Sequence, residues 1–102
     1  MQENTIYGLP ESDFSKIITI LKNHSKIEQA TLFGSRAKGT FSNGSDVDIA
    51  LTGENLKLND ILEVSEEIDK LFLPWKFDLV IFNRIKEEAL IDHINRVGVQ
   101  LF

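Results

Sequence analysis

From residue 46 to residue 51 the chain reads Asp-Val-Asp-Ile-Ala-Leu. This alternation is the pattern of a β-strand, whose successive side chains point to opposite faces. Val47, Ile49 and Leu51 point one way; Asp46, Asp48 and Ala50 point the other. Strands disfavour aspartate, and two on one face lie about 7 Å apart along the strand. Like charges at that spacing repel unless something positive lies between them. A further strand pattern, Lys76 to Phe82, carries Asp78 between Phe77 and Leu79. Burying a bare carboxylate inside such a strand is costly. If the two strands are neighbours, all three acids converge on one point. Oxygen donors with no Cys or His beside them suit Mg²⁺ or Mn²⁺. Asp46, directly after Ser45, also suits a turn, so the weight falls on the same-face pair taken with the third acid.

The surrounding pattern alternates helices with strands. Phe14, Ile17, Ile18 and Leu21 recur at helical spacing, which predicts a helix capped by Ser12 and ending near His24–Ser25. Ile27 to Phe33 reads as a strand. Leu58 to Phe72 is the longest periodic stretch, with an apolar stripe of Leu58, Ile61, Leu62, Ile68 and Phe72 interrupted by Ser65, and with Asn55 or Asn59 as its cap. Leu73-Pro74-Trp75 breaks it. Ile85 to Val97 predicts a last helix, closed by Gly98, and Val99 to Phe102 a terminal strand. The 102 residues suffice for one domain, residues 1–102, of α/β or α+β class with a small sheet flanked by helices. There is no cysteine, hence no disulfide, thiolate metal site or cysteine nucleophile. Apolar runs reach about four residues (Leu79 to Phe82), far short of a membrane span, and Met1 to Leu9 lacks a secretory signal pattern. A net charge of −5 disfavours binding to duplex nucleic acid, whose affinity comes largely from Lys and Arg on phosphates. A nucleotide held through metal ions stays open.

Between the first two strand patterns lies Gly34-Ser35-Arg36-Ala37-Lys38-Gly39, then a turn-rich stretch to Ser45. A glycine at a strand end lets backbone approach a ligand closely, and free N–H groups there favour phosphate. The Ser35 hydroxyl can donate to a phosphate oxygen, while Arg36 and Lys38 offset its charge. The run Gly34 to Thr40 is no P-loop, because its lysine is missing and no long helical pattern follows.

Taken together, Gly34-Ser35, Asp46-Val47-Asp48 and the later lone Asp78 resemble the signature of the polymerase-β-like nucleotidyltransferase superfamily. Within it the chain is similar to the minimal nucleotidyltransferases, the MntA-type antitoxins of HEPN–MNT toxin–antitoxin pairs; Leu73 to Val80 and Gly98-Val99 add to that likeness. The resemblance implies a mixed sheet of three to four strands flanked by helices, and transfer of AMP from ATP to a tyrosine of a protein partner. It implies that Asp46 and Asp48 bind two Mg²⁺ ions and that Asp78 binds the one contacting the acceptor hydroxyl. It further implies that Gly34 and Ser35 hold the β- and γ-phosphates, with Arg36, Lys38 and Ser45 completing the nucleotide site. Nothing in the chain reads as a module for gripping an RNA, a sugar or an antibiotic, so the acceptor is expected from another chain, a HEPN-domain toxin. The expected setting is cytoplasmic, with homo- or hetero-oligomers open. The rival reading is a non-catalytic antitoxin that occludes its toxin stoichiometrically.

Other residues receive plainer readings. His24 and His93, on different helices, read as surface or core histidines, Trp75 as core, and Tyr7 as packing on the first helix. Glu63, Glu66, Glu67 and Asp69 read as a solvated helix face, and Arg84, Lys86 and Arg96 as exposed charges of the last helix.

Overall fold

The computed structural model describes residues 4–102. Its frame is a four-stranded sheet built from β3 (Gln29–Phe33), β4 (Val47–Thr52), β5 (Phe77–Ile81) and β6 (Val99–Gln100), in the order β5-β4-β3-β6. A separate two-residue-per-strand hairpin, β1 (Thr5–Ile6) and β2 (Leu9–Pro10), precedes them. β3 runs antiparallel to both β4 and β6, whereas β4 and β5 are parallel. Parallel neighbours need a crossover connection, and α3 (Leu58–Asp69) supplies it. The remaining helices are α1 (Glu11–Asn23), the single turn α2 (Gly34–Lys38) and α4 (Glu88–Val97). A fold of mixed α/β class follows, as the sequence predicts. Among the described residues no helix is long and apolar enough to cross a membrane.

The alternation read from the sequence sorts the two faces of the sheet. Ala30, Leu32, Val47, Ile49 and Leu51 pack with Phe14, Ile17 and Leu21 of α1 and Ile61, Val64 and Ile68 of α3 in the main core, with Phe77, Leu79 and Ile81 against it. On the opposite face Phe33, Ala50 and Ile94 of α4 form a smaller cluster, flanked by Val80 and Phe82. Among the described residues α4 and the segment before it cover that second face, and Asp48 and Asp78 belong to it.

Several boundaries differ from the sequence reading, each for a physical reason. α1 begins directly after Pro10, which serves as its N-cap in place of Ser12; a fixed proline φ sets the chain up to enter a helix. α3 ends at Asp69 rather than Phe72, and Phe72 adopts a left-handed φ of 53° with 91% of its surface exposed. The expected stripe is also rotated: Leu58 and Leu62 are exposed, and Val64 is buried in their place. Its N-cap is Lys57, not an asparagine, and the Asp60 carboxylate accepts the Lys57 N–H at 2.8 Å. The last helix starts at Glu88, after a 3₁₀ turn over Phe82–Arg84, rather than at Ile85. Gly98 ends it in an extended rather than left-handed conformation. It must be glycine because a Cβ there would run into the Ile94 carbonyl oxygen and crowd the Thr31 methyl. The β1–β2 hairpin, which no periodicity announced, turns on Tyr7 and Gly8, both with positive φ (53° and 81°). That pair of dihedral signs matches the right-handed strand twist of a two-residue hairpin.

Candidate active site

β3 ends at Phe33, and the chain turns at Gly34 with φ +76°. A side chain there would be strained and would also run into the Asp48 carboxylate. Gly34 is thus the point where backbone meets an acid from the neighbouring strand. Its N–H donates to His93 Nε2 of α4 at 3.1 Å. Ser35 opens the single turn of α2, half-buried beside it. Gly39 closes that turn in a left-handed conformation, and the Thr40 N–H donates to the Ser35 carbonyl at 3.0 Å.

The aspartates are placed by strand register. Asp48 lies opposite Phe33 across the antiparallel pair and level with Asp78 across the parallel pair. Residues level across adjacent strands share a face, and their backbones lie about 4.8 Å apart. Asp46 sits just before β4, where the Val47 N–H donates to the Lys76 carbonyl at 2.8 Å and ties the strand start to β5. Asp46 and Asp78 are exposed and Asp48 is half-buried. Asp78 therefore escapes the burial cost its apolar neighbours suggest, because β5 is an edge strand. Its carboxylate is open to solvent on the face it shares with Asp48.

Electrostatics joins the three. Burial pushes the Asp48 carboxyl above its ordinary range, the Asp78 and Asp46 charges push it further, and His93 and Arg36 partly offset them. The Asp48 charge is thus under-compensated, and a divalent cation beside it would relieve that. The donor set, all carboxylate oxygen, fits a hard ion such as Mg²⁺. The three side chains are spread wider than a closed ligand cage. Among the described residues, the set of potential ligand atoms lying within 4.8 Å of one another is His24, Asp60 and Glu63.

That second cluster has a different character. His24 Nε2 lies 3.0 Å from Glu63 and 3.4 Å from Asp60, and the Lys26 ammonium is 3.5 Å from Asp60. His24 Nδ1 accepts the Lys26 backbone N–H at 3.3 Å. With Nδ1 used as an acceptor, the ring proton of the neutral imidazole sits on Nε2 and points to the carboxylates. The position a metal would take is filled by that proton and by a lysine. The cluster is a polar latch between α3 and the end of α1. The Lys57 N–H, Lys26 and His24 together hold the Asp60 carboxyl below its ordinary value despite burial.

The basic residues of the glycine turn divide. Lys38 is exposed. Arg36, expected at a phosphate, is instead 1% exposed. Its Nε and Nη2 donate to the Ser45 carbonyl (3.2 and 2.8 Å), Nη2 reaches the Asn43 carbonyl at 3.5 Å, and Nη1 donates to the Tyr7 carbonyl at 2.8 Å. The guanidinium also lies 5.2 Å from the Phe41 ring centroid. Its hydrogen bonds run from Nε, Nη1 and Nη2 to backbone carbonyls. Arg36 therefore braces the loop that delivers Asp46, and its charge reaches the site only through space. Ser45 likewise serves the loop: its hydroxyl accepts the Ser42 N–H at 2.9 Å. His93, read as an ordinary histidine, proves to stand at the site. It is 59 positions from Gly34 in sequence, and no local pattern pairs them.

A four-stranded mixed sheet, with a glycine-serine turn at the end of one strand and acids on the adjacent strand and on the edge strand beyond it, has the nucleotidyltransferase fold. The chain belongs to the polymerase-β nucleotidyltransferase family, whose model matches residues 15–102. It is 30% identical over 96 residues to a candidate protein adenylyltransferase of Methanocaldococcus jannaschii, covering 87% of this chain and 92% of that one. A crystal structure of a toxin–antitoxin with AMP-PNP superposes with a TM-score of 0.72 at 28% identity, covering 86% of this chain and 71% of the other. The fold is shared as well by a complex of tri-AMPylated Shewanella oneidensis HEPN toxin with MNT antitoxin (TM-score 0.67, 23% identity, 90% of this chain and 71% of that one).

Proposed function

We propose that this chain is a Mg²⁺-dependent protein adenylyltransferase that moves AMP from ATP to a tyrosine of a HEPN-domain toxin and thereby acts as its antitoxin. The observation that carries this reading is the register that sets Asp78 level with Asp48, with the Gly34 backbone against the Asp48 carboxylate. The similarity to an adenylyltransferase-like relative and to a toxin–antitoxin structure with AMP-PNP supports the choice of nucleotide and partner class.

In this reading Asp46 and Asp48 would hold two Mg²⁺ ions, with Asp78 as a further carboxylate ligand. When bound, the ions offset phosphate charge and lower the acceptor hydroxyl's pKa. Gly34 and Ser35 cradle the β- and γ-phosphates, with Lys38 close in sequence to offset their charge. The tyrosine oxygen forms its bond to the α-phosphorus, the bond to the β-phosphate oxygen breaks, and pyrophosphate leaves. Asp78, on the exposed edge strand, faces the incoming acceptor and takes the phenolic proton. Such transfer asks of a protein mainly positioning and electrostatics, which a domain of this size can supply. The protein acts in the cytoplasm, in complex with its toxin.

The test is incubation with Mg²⁺, α-labelled ATP and a HEPN toxin encoded beside it, with the antitoxin at about one-tenth the toxin concentration. Label accumulating on most of the toxin, and lost with Asp48→Asn or Asp78→Asn, is the expected result. A tight unlabelled complex that inhibits only at equal stoichiometry identifies an occluding antitoxin and overturns the catalytic reading.

A further inference from the structure

We infer that His93 is a positioning residue of the nucleotide site: from α4 it caps the glycine-serine turn and fixes the orientation in which that turn meets phosphate. The inference rests on the nucleotidyl-transfer reading above and adds a residue to it.

The first N–H groups of any helix have no partner within it. In α2 the residue at the cap position, Phe33, offers no side-chain bond to fill that need. The Gly34 N–H is satisfied instead from across the fold, by His93 Nε2 at 3.1 Å. Accepting through Nε2 requires a lone pair there, so the ring proton sits on Nδ1. The ring itself is held edge-on against Phe33, with centroids 6.2 Å apart and planes at 80°. The next residue, Ile94, is buried against Phe33 and Ala50, which anchors this part of α4 to the sheet.

Gly34 is consequently held on two sides. The Asp48 carboxylate fills the space a Cβ would take, and His93 grips the amide. Glycine is the residue freest to rotate its flanking peptides, and α2 is only five residues long, too short to fix its own first peptide. Without His93 the 33–34 peptide loses its partner, and the direction of the following Ser35 N–H and hydroxyl is no longer set. His93 acts electrostatically on the Asp48 carboxyl, while Asp92 and Arg96 of its own helix pair with each other at 2.8 Å. The positioning role needs only the neutral imidazole.

Two variants separate positioning from bulk structure. His93→Leu keeps an apolar side chain against Phe33 and removes the acceptor. His93→Gln places an amide oxygen the same number of bonds from Cβ as Nε2. Binding of a non-hydrolysable ATP analogue with Mg²⁺, and hydrogen exchange at the Gly34 amide, are measured for both and for the wild type. His93→Leu is expected to weaken analogue binding about tenfold, the scale of one lost hydrogen bond to a positioned group, and to speed Gly34 exchange. His93→Gln is expected to restore both to within about threefold. Analogue binding unchanged in His93→Leu overturns the inference, as does a His93→Gln variant as impaired as His93→Leu. Should His93→Leu fail to fold, His93→Asn, whose acceptor falls one bond short, takes its place with the same expectations. Wild-type protein that binds no analogue overturns the functional reading along with this one; wild-type binding with an indifferent His93 overturns this one alone.

Discussion

Asp48 stands where packing and chemistry pull in opposite directions. Its carboxyl holds a proton more tightly in the fold than in the unfolded chain, first because of burial and then because Asp78 and Asp46 share its face. Stability linked to Asp48 is therefore complete below its unfolded value, near 3.8, and is lost as pH rises through the raised folded value. At neutral pH without metal the ionised group is a net burden on the fold. Asp48→Asn is accordingly expected to raise the melting temperature in EDTA-containing buffer while abolishing AMP transfer; a lower melting temperature would show that the carboxylate is well compensated. Arg36 presents the reverse case. Its buried guanidinium serves three carbonyls, and Arg36→Met leaves all three without it. A loss of about 3 kcal/mol in denaturant unfolding is expected, and a loss below about 1 kcal/mol would mean that the loop finds other donors. The aspartates stand out in the sequence as a candidate site because carboxylates in strand patterns demand an explanation. The Arg36 role was not, since a basic residue after Gly-Ser suits a phosphate contact and a buried brace equally well. Only the positions of the Tyr7, Asn43 and Ser45 carbonyls decide between them.

At the scale of elements, strands were read more closely than helices. The alternation over Val47–Thr52 and Phe77–Ile81 fixes which side chains share a face, because a period of two leaves no ambiguity. The helical stripe of α3 was legible as a helix but misassigned in rotation. Leu58 and Leu62 look like core residues in a list of apolar positions, yet the buried line runs through Ile61, Val64 and Ile68. The start of α3 depends on Asp60, whose carboxylate caps the Lys57 N–H and meets His24 and Lys26. Since these contacts lower its folded pKa, the stability it confers is present above the unfolded value of 3.8 and is lost as pH falls through the lowered one. Asp60→Ala is expected to lower the melting temperature by several degrees at pH 7 and to leave nucleotide binding intact, because the latch lies on the α1–α3 side of the sheet. An equal effect at both pH 7 and pH 2 would remove the electrostatic part of this explanation.

Over the whole molecule, the sheet separates a stabilising face from a working one. α1 and α3 bury the main core on one side; on the other, α4 and the segment before it cover the sheet and leave Asp46 and Asp78 exposed. The general order of elements could be read in advance, whereas the β1–β2 hairpin and the pairing of His93 with Gly34 could not. The first is too short to show a period, and the second joins residues 59 positions apart. This division gives the central claim a spatial signature: a divalent ion carrying nucleotide belongs on the α4 side, among Asp46, Asp48 and Asp78, and not at the His24–Asp60–Glu63 latch. Titrating paramagnetic Mn²⁺ with a non-hydrolysable ATP analogue into ¹⁵N-labelled protein locates the ion directly. The amide signals of Gly34, Ser35, Asp46, Asp48 and Asp78 are expected to broaden first, while those of His24, Asp60 and Glu63 stay sharp. Broadening centred on the latch, or none at the three aspartates, would contradict the account.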